Sequence, residues 1–336
     1  MEDSPFRLPC GGQLDAISLS PACLLCALYW TALDCLIVNR SGLAFVLAST
    51  VLWGTIGTAA SYISGASTLA IGAATMGFGG VIQAGLAIPA IRRSWGTLKR
   101  QWRWVLLGGI NLFLFPLGFF GSMHLAGVAI GTVVSIGLCP LFAAIAQRLF
   151  DKTKLAGRWG VAASIGLVGV GLLAFAGEGT ASAHSTGQTI GGVGLGLLAA
   201  ATFGFYSWVA GKVMARGLSA RATVGACFGV SGLMLLPIAL VNGAPLVADW
   251  NNALWIAYLI VVCQVIAHRS YGAGLARLSS VNATTITMAE PVIAATLAVV
   301  VLHERLPLFS WAGAALVVVC LVILSTGSQG DTTAPA

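Results

Sequence analysis

The chain has 336 residues, of which 58% are hydrophobic and only 8% charged. Soluble domains carry about 25% charged residues, so a water-exposed globular surface is excluded and most of this chain must be solvated by lipid. The net charge of +7 therefore gives no reason to expect nucleic acid as a partner; what matters is where the basic residues fall between apolar runs.

Residues 1–40 form an N-terminal extension with mixed signals. Ile17 to Val38 is apolar but contains Asp34 and ends a few residues before the next apolar run. The first sixteen residues hold one Arg and three acids, and no small-residue cleavage site follows, so this is not a standard secretory signal. Three readings stay open: a surface-lying helix, an extra span, or an extension created by a misplaced start site. The last is ranked first, because Asp34 and the short connection argue against a true crossing. The eight cysteines give no disulfide framework. Cys23 and Cys26 make a C-x-x-C, but no second pair lies at metal spacing.

From Ser41 the hydropathy becomes regular. A span needs about 20 apolar residues, and ten stretches qualify: 42–62, 66–89, 104–123, 126–148, 158–177, 191–211, 220–241, 252–275, 280–302 and 308–326. The predicted fold class is thus an all-α integral membrane protein with ten transmembrane helices. The Gly/Ser/Thr-rich segment 178–189, with Glu178 and His184, reads as a linker between two halves, 41–177 and 190–326. Residues 327–336 read as a disordered cytoplasmic tail.

The basic residues orient this set. Arg92, Arg93, Lys99, Arg100 and Arg103 lie between spans two and three. Arg148, Lys152, Lys154 and Arg158 lie between four and five, and Lys212, Arg216 and Arg221 between six and seven. With Arg7, Arg40 and Arg277, fifteen of the seventeen Lys/Arg fall on one side. The positive-inside rule then puts both termini in the cytoplasm, and a multi-pass protein of the cytoplasmic (inner) membrane is expected.

Span nine carries Glu290 next to Pro291. A carboxylate at bilayer depth costs on the order of 3 kcal/mol, so it faces a protein interior or a wet cavity. Pro291 removes a backbone N–H, so the helix should kink or open there. Asn282, Ile286, Glu290 and Ala294 recur every four residues and should share one face, joined by Thr287. In span eight, Gln264, His268 and Tyr271 lie at i, i+4 and i+7. Spans eight and nine are consecutive and antiparallel, so Glu290 can pair with His268 or Arg269. A binding and proton-coupling site and a plain tethering pair both fit. Weaker mid-span candidates are Trp53, Asn111, Tyr206, Trp208 and Gln83. Aromatic lining suits a cavity for amphipathic organic solutes, although packing alone would also explain each of them. The pairs Gly192/Gly196 and Gly225/Gly229 read as close helix contacts.

The chain also repeats itself. Residues 120–140 align without a gap on 271–291, placing Phe120 on Tyr271, Gly121 on Gly272 and Pro140 on Pro291. LASTVLWGT (47–55) resembles LLAAATFGF (197–205), with Gly54 on Gly204, and Asp151 corresponds to Glu304 after a two-residue gap. Two copies of a five-span unit must enter the membrane in opposite orientations. Inverted repeats with interrupted helices at matching positions are the architecture of alternating-access carriers. Pro140 and Pro291 are the expected kink and gating positions. The proline is duplicated, but the acid is not, since Cys139 stands opposite Glu290.

The run A-E-P-V-I-A-A (289–295), L-H-E-R-L (302–306), W-A-G-A-A-L-V-V-V (311–319) and L-W-G (52–54) together resemble the EamA-type members of the drug/metabolite transporter superfamily. The resemblance covers about 42–326 and is best in the second half. It implies a ten-helix inner-membrane carrier, usually an exporter of small metabolites such as amino acids, with the substrate cavity between the repeats.

Three functions compete. A secondary transporter for small solutes, with protons as a possible coupling ion, leads. A channel or facilitator would need a pore filter, commonly from an oligomer. An intramembrane enzyme is disfavoured, because H-E-x-x-H, G-x-S-x-G and phosphate-loop motifs are missing and His124, His184, His268 and His303 fall in four separate elements. No cofactor or metal is expected. The expected partners are a small-molecule substrate and membrane lipid, with the protein a monomer or a homodimer.

Overall fold

The computed structural model describes residues 40–153, 157–175, 185–301 and 308–325. The extension 1–39 with Cys23 and Cys26, most of the linker with Glu178 and His184, the span end with His303, Glu304 and Arg305, and the tail lie outside the described residues. The chain divides into a short unit, Met1–Ser41, and a main unit from Gly42 onward.

All regular structure among the described residues is helical. Each of the ten apolar stretches falls on helix. The elements are α1 (Arg40–Ser61), α2 (Thr68–Arg93), α3 (Trp95–Arg100), α4 (Trp102–Ala126), α5 (Val128–Gly137), α6 (Cys139–Phe150) and α7 (Gly157–Phe175). They continue with α8 (Thr186–Ala215), α9 (Ala220–Asn242), α10 (Trp250–Tyr258), α11 (Ala267–Leu275), α12 (Ser280–Ile286), α13 (Glu290–Val301) and α14 (Leu308–Ser325). Eight spans are long and apolar enough to cross a membrane, two of them built from α5 with α6 and α12 with α13. The other two expected spans hold shorter apolar helices, Gly157–Leu172 and Leu308–Leu324.

Helix starts follow from local chemistry. Ser67, Ser219 and Ser279 each accept the N–H three residues on, at 3.1, 3.3 and 3.2 Å, which satisfies a donor left free at a helix N-terminus. α8 begins at Thr186, five residues before the predicted 191. There Ser185 and Gln188 form a reciprocal capping box, with bonds of 3.3 and 2.9 Å. The S-x-x-Q spacing was present in the sequence as a start signal.

The winding changes beside both repeat-matched prolines. Residue Leu138 separates α5 from α6, whose first turn holds Pro140. A 3-10 turn, Thr287–Ala289, separates α12 from α13, where Pro291 follows Glu290. This turn corrects the predicted four-residue stripe. Three residues at 3.0 per turn rotate the chain by roughly 60° beyond an α-helix, so Asn282 and Glu290 do not share one straight face. A second departure is a π-helical segment, Leu259–Ile266, between α10 and α11. No proline or glycine marks it in the sequence.

Small residues let the helices approach. A Cβ on Gly80 of α2 would lie 2.4 Å from the Phe228 carbonyl oxygen of α9, and one on Gly225 would lie 2.1 Å from the Ala87 Cβ. Gly192 of α8 meets Ala126 of α4 in the same way, at 2.5 Å. Without a hydrophobic drive between helices in lipid, such close backbone packing holds the bundle together.

Candidate functional site

The inward faces of α1, α8, α9 and the α10–α11 span converge on an aromatic cluster. Trp53 of α1 lies with its ring centroid 4.7 Å from His268, 5.3 Å from Tyr271 and 6.0 Å from Phe203. Phe228 closes the other side of His268 at 4.6 Å, and Tyr206 joins through Phe203 and Phe228. The polar handles are fixed. The Trp53 indole donates to the Cys263 carbonyl at 3.0 Å, and the Tyr271 hydroxyl pairs with Ser207 Oγ at 2.8 Å. His268 directs Nδ1–H to the Gln264 carbonyl at 3.0 Å. Two groups of this cluster stay unsatisfied: the Tyr206 hydroxyl and the Gln264 amide nitrogen are buried with no hydrogen-bond partner among the described residues. Buried polar groups normally find one, so these are the groups with capacity to bind something further.

Glu290 lies apart from that cluster. It opens α13, is surrounded by protein yet keeps accessible surface, and makes no hydrogen bond or salt bridge with another described residue. The expected pair with His268 or Arg269 is not formed. His268 is wedged between Trp53 and Phe228 and already bonded to its own helix, so it cannot turn to Glu290. Arg269 is half-buried. Cys139 and Cys263 are among the titratable neighbours of Glu290. Cys139 is the residue that the internal repeat sets opposite Glu290. Placed at a helix N-terminus, the carboxylate also sits at the positive end of the α13 dipole.

The remaining candidates separate. Gln264 packs toward α2, since a Cβ on Gly79 would lie 2.2 Å from its Cγ. Gln83 donates to the Val265 carbonyl at 3.2 Å, bracing the π segment. Asn282 is half-buried, with its N–H on the Ser279 cap. Asn111 bonds its own helix at Leu107, 2.8 Å away. Trp208 belongs to a different group at the basic-rich end. Its indole donates to Asp151 Oδ2 at 2.6 Å, Lys212 forms a salt bridge with Asp151 Oδ1, and the Lys212 ammonium lies over Trp208 at 4.7 Å and Trp104 at 5.8 Å. Asp151 follows α6, in the first half of the chain, and Lys212 ends α8, in the second.

Sequence reasoning passed over Phe203, Ser207, Phe228, Cys263 and the Asp151–Lys212 pair. The first four sit in helices apolar all round, where no periodicity singles out an inward face. Asp151 and Lys212 were visible only as loop charges.

Known proteins place this arrangement. Residues 190–326 match the EamA-like transporter family. The chain is 27% identical to the "Uncharacterized transporter YwfM" of Bacillus subtilis (strain 168), over 87% of this chain and 96% of that protein. It is 24% identical to the "Uncharacterized inner membrane transporter YicL" of Salmonella typhimurium, over 87% and 97%. A solved crystal structure shares the fold with a TM-score of 0.69, at 20% identity over 84% of this chain and 96% of that one. Residues 190–326 thus form an EamA-like domain within a multi-pass membrane protein, and the chain is similar over most of its length to bacterial proteins named as transporters.

Proposed function

We propose that the protein is a secondary active transporter of small metabolites, amino acid-like or amphipathic, that works by alternating access between two inverted five-helix repeats. All ten apolar helices span the cytoplasmic membrane in this reading. Both termini and the basic-rich end face the cytoplasm, and transport runs outward.

One observation carries the reading: the two halves make the same contacts in exchanged roles. A Cβ on Gly204 would lie 2.9 Å from the Phe142 Cβ and 2.9 Å from the Ala143 nitrogen. A Cβ on Gly54 would lie 2.8 Å from the Ile293 Cβ and 3.4 Å from the Ala294 nitrogen. The alignment that puts Gly54 on Gly204 and Pro140 on Pro291 puts Phe142 on Ile293 and Ala143 on Ala294. The contact of Gly192 with Ala126 is likewise matched by Gly42 with Arg277. Such reciprocal packing supports a pseudo-two-fold axis, which would let a carrier exchange two equivalent arrangements around a fixed midplane site.

The site lies between Glu290, Cys139 and the aromatic cluster. Glu290, without a partner among the described residues, is the group to exchange a proton or hold a cationic moiety. The aromatic rings supply apolar walls, and Tyr206 and Gln264 supply hydrogen bonds once the packing loosens. His268 and Tyr271 position the wall rather than neutralise the acid. Opening the basic-rich end requires Asp151 to part from Trp208 and Lys212.

The test begins with a growth-inhibition screen of an overexpressing strain against amino acids, their analogues and toxic amphiphiles. Hits are then measured in proteoliposomes. The expected result is saturable uptake that collapses when the pH gradient is dissipated and that Glu290→Gln abolishes. Non-saturable flux would instead support a facilitator, and full gradient-driven transport by Glu290→Gln would remove the acid from the mechanism.

A further inference from the structure

The connection between α2 and α4 holds a surface that the transport reading does not use. Arg92 and Arg93 end α2, Lys99 and Arg100 end the six-residue α3, and Arg103 lies in the first turn of α4. All five side chains are exposed. Two indoles frame them: Trp95 and Trp102 are 51% and 54% exposed. Each indole carries its own cation, with Lys99 Nζ 5.4 Å from the Trp95 ring and Arg103 Cζ 5.5 Å from the Trp102 ring.

This charge has no counterpart among the described residues. They contain three acids, Asp151, Asp249 and Glu290. Asp151 is held by Lys212 and Trp208. Asp249 caps α10 through the Asn252 N–H at 2.8 Å, toward the opposite end of the helices. Glu290 is at mid-span. A counter-charge must therefore be sought beyond the described residues, and the two exposed indoles point to one. Trp at the end of a membrane helix sits at headgroup level, so the phase facing Lys99, Arg100 and Arg103 is the layer of lipid phosphates. Each cation near an anionic surface gains about 1 kcal/mol.

We infer that the α2–α4 connection is a binding site for anionic phospholipid headgroups, with Arg92, Arg93, Lys99, Arg100 and Arg103 as the phosphate ligands and Trp95 and Trp102 as the interfacial anchors. The site rests on charge and placement alone and stands whether or not the transport reading does.

The full chain in detergent is offered dioleoyl phosphatidylglycerol and dioleoyl phosphatidylcholine in equal amounts, and retained lipid is counted by native mass spectrometry. The expected result is retention of phosphatidylglycerol over phosphatidylcholine by about tenfold. The excess falls to parity when all five cations become Gln. The milder Lys99→Gln/Arg100→Gln variant touches only exposed side chains of α3, so it folds, and it should lose part of the excess. Inorganic phosphate and glycerol phosphate at equal concentration should displace none of the retained lipid. An undiminished excess in the five-fold variant overturns the site, and so does displacement by inorganic phosphate, which would mark a free-phosphate site. Parity in the wild-type chain overturns it too. If an excess then emerges when Glu2, Asp3, Asp15 and Asp34 are neutralised, the occupant is the chain's own N-terminal segment.

Discussion

The two ends of the helix bundle are fastened by opposite chemistry. At the basic-rich end a salt bridge joins Asp151 to Lys212, with the Trp208 indole on the second carboxylate oxygen. At the other end the fastening is neutral. Asn252 of α10 accepts from the Ser64 N–H at 3.1 Å and donates to the Ser64 and Pro245 carbonyls, both at 2.9 Å. Asn251 donates to the Tyr62 carbonyl at 2.7 Å, and Tyr62 stacks on Trp255 at 4.7 Å. The alignment of Gly54 with Gly204 sets Tyr62 opposite Lys212, so equivalent positions have been given a ring in one half and an ammonium in the other. The difference predicts how each end yields. A charged pair at a water boundary is weakened by salt and by loss of either charge, whereas an amide bonding three backbone groups fails only when its geometry fails.

The largest effect is expected at Asn252. It is 1% exposed, and Asn252→Ala strands the Ser64 N–H and two carbonyls. An orphaned buried polar group costs about 1–3 kcal/mol. Thermal unfolding of the detergent-solubilised protein should shift down clearly, and the shift should be the same at low and high salt. A salt-dependent shift would erase the contrast between the ends. Next comes Trp255→Ala at the same end. It removes a stacked pair worth about 0.5–1.5 kcal/mol, and unfolding should again move independently of salt, by less than for Asn252→Ala.

These fastenings show how far the sequence could be read. Apolar length located the eight membrane-crossing helices and two shorter apolar ones, because a segment in lipid must satisfy its own backbone. Pro140 and Pro291 lie beside two changes of winding, and the repeat sets Cys139 at the position equivalent to Glu290. The detail of the site was harder to read. The stripe through Asn282 and Glu290 failed because winding changes over Thr287–Ala289, and the π segment at Leu259–Ile266 has no residue type that signals it. Trp208 looked like cavity lining from its depth in α8. Its actual partner, Asp151, is 57 residues away, and pairing at that distance follows from the packing of α6 against α8, not from any local pattern.

At the charged end the stability effect should be smaller and the opening effect larger. Asp151 and Lys212 are 30% and 22% exposed, and a partly exposed pair contributes about 1 kcal/mol or less. Lys212→Met should therefore barely move unfolding. It should still raise alkylation of buried Cys139 by an impermeant maleimide applied from the basic-rich side, read peptide by peptide by mass spectrometry. High salt should produce the same rise in the wild-type chain, and the exchange Asp151→Lys/Lys212→Asp should restore protection in part, since the Trp208 indole loses its acceptor. Equal labelling in all of these would mean that the pair is decoration on a closed end.

The smallest effect, Asn111→Ala, sets the floor of the comparison. Asn111 sits at mid-helix and is polar, the features that made it a site candidate. Yet its amide bonds only the Leu107 carbonyl one turn back, at 2.8 Å, on an exposed stretch. That carbonyl already has its place in the α4 ladder, so removing the amide leaves nothing stranded. The expected change in unfolding is within about 0.5 kcal/mol, with Cys139 labelling and uptake unaltered. A transport defect in Asn111→Ala at unchanged stability would extend the solute path to the α4 face and break the proposed placing of the site between Glu290, Cys139 and the aromatic cluster.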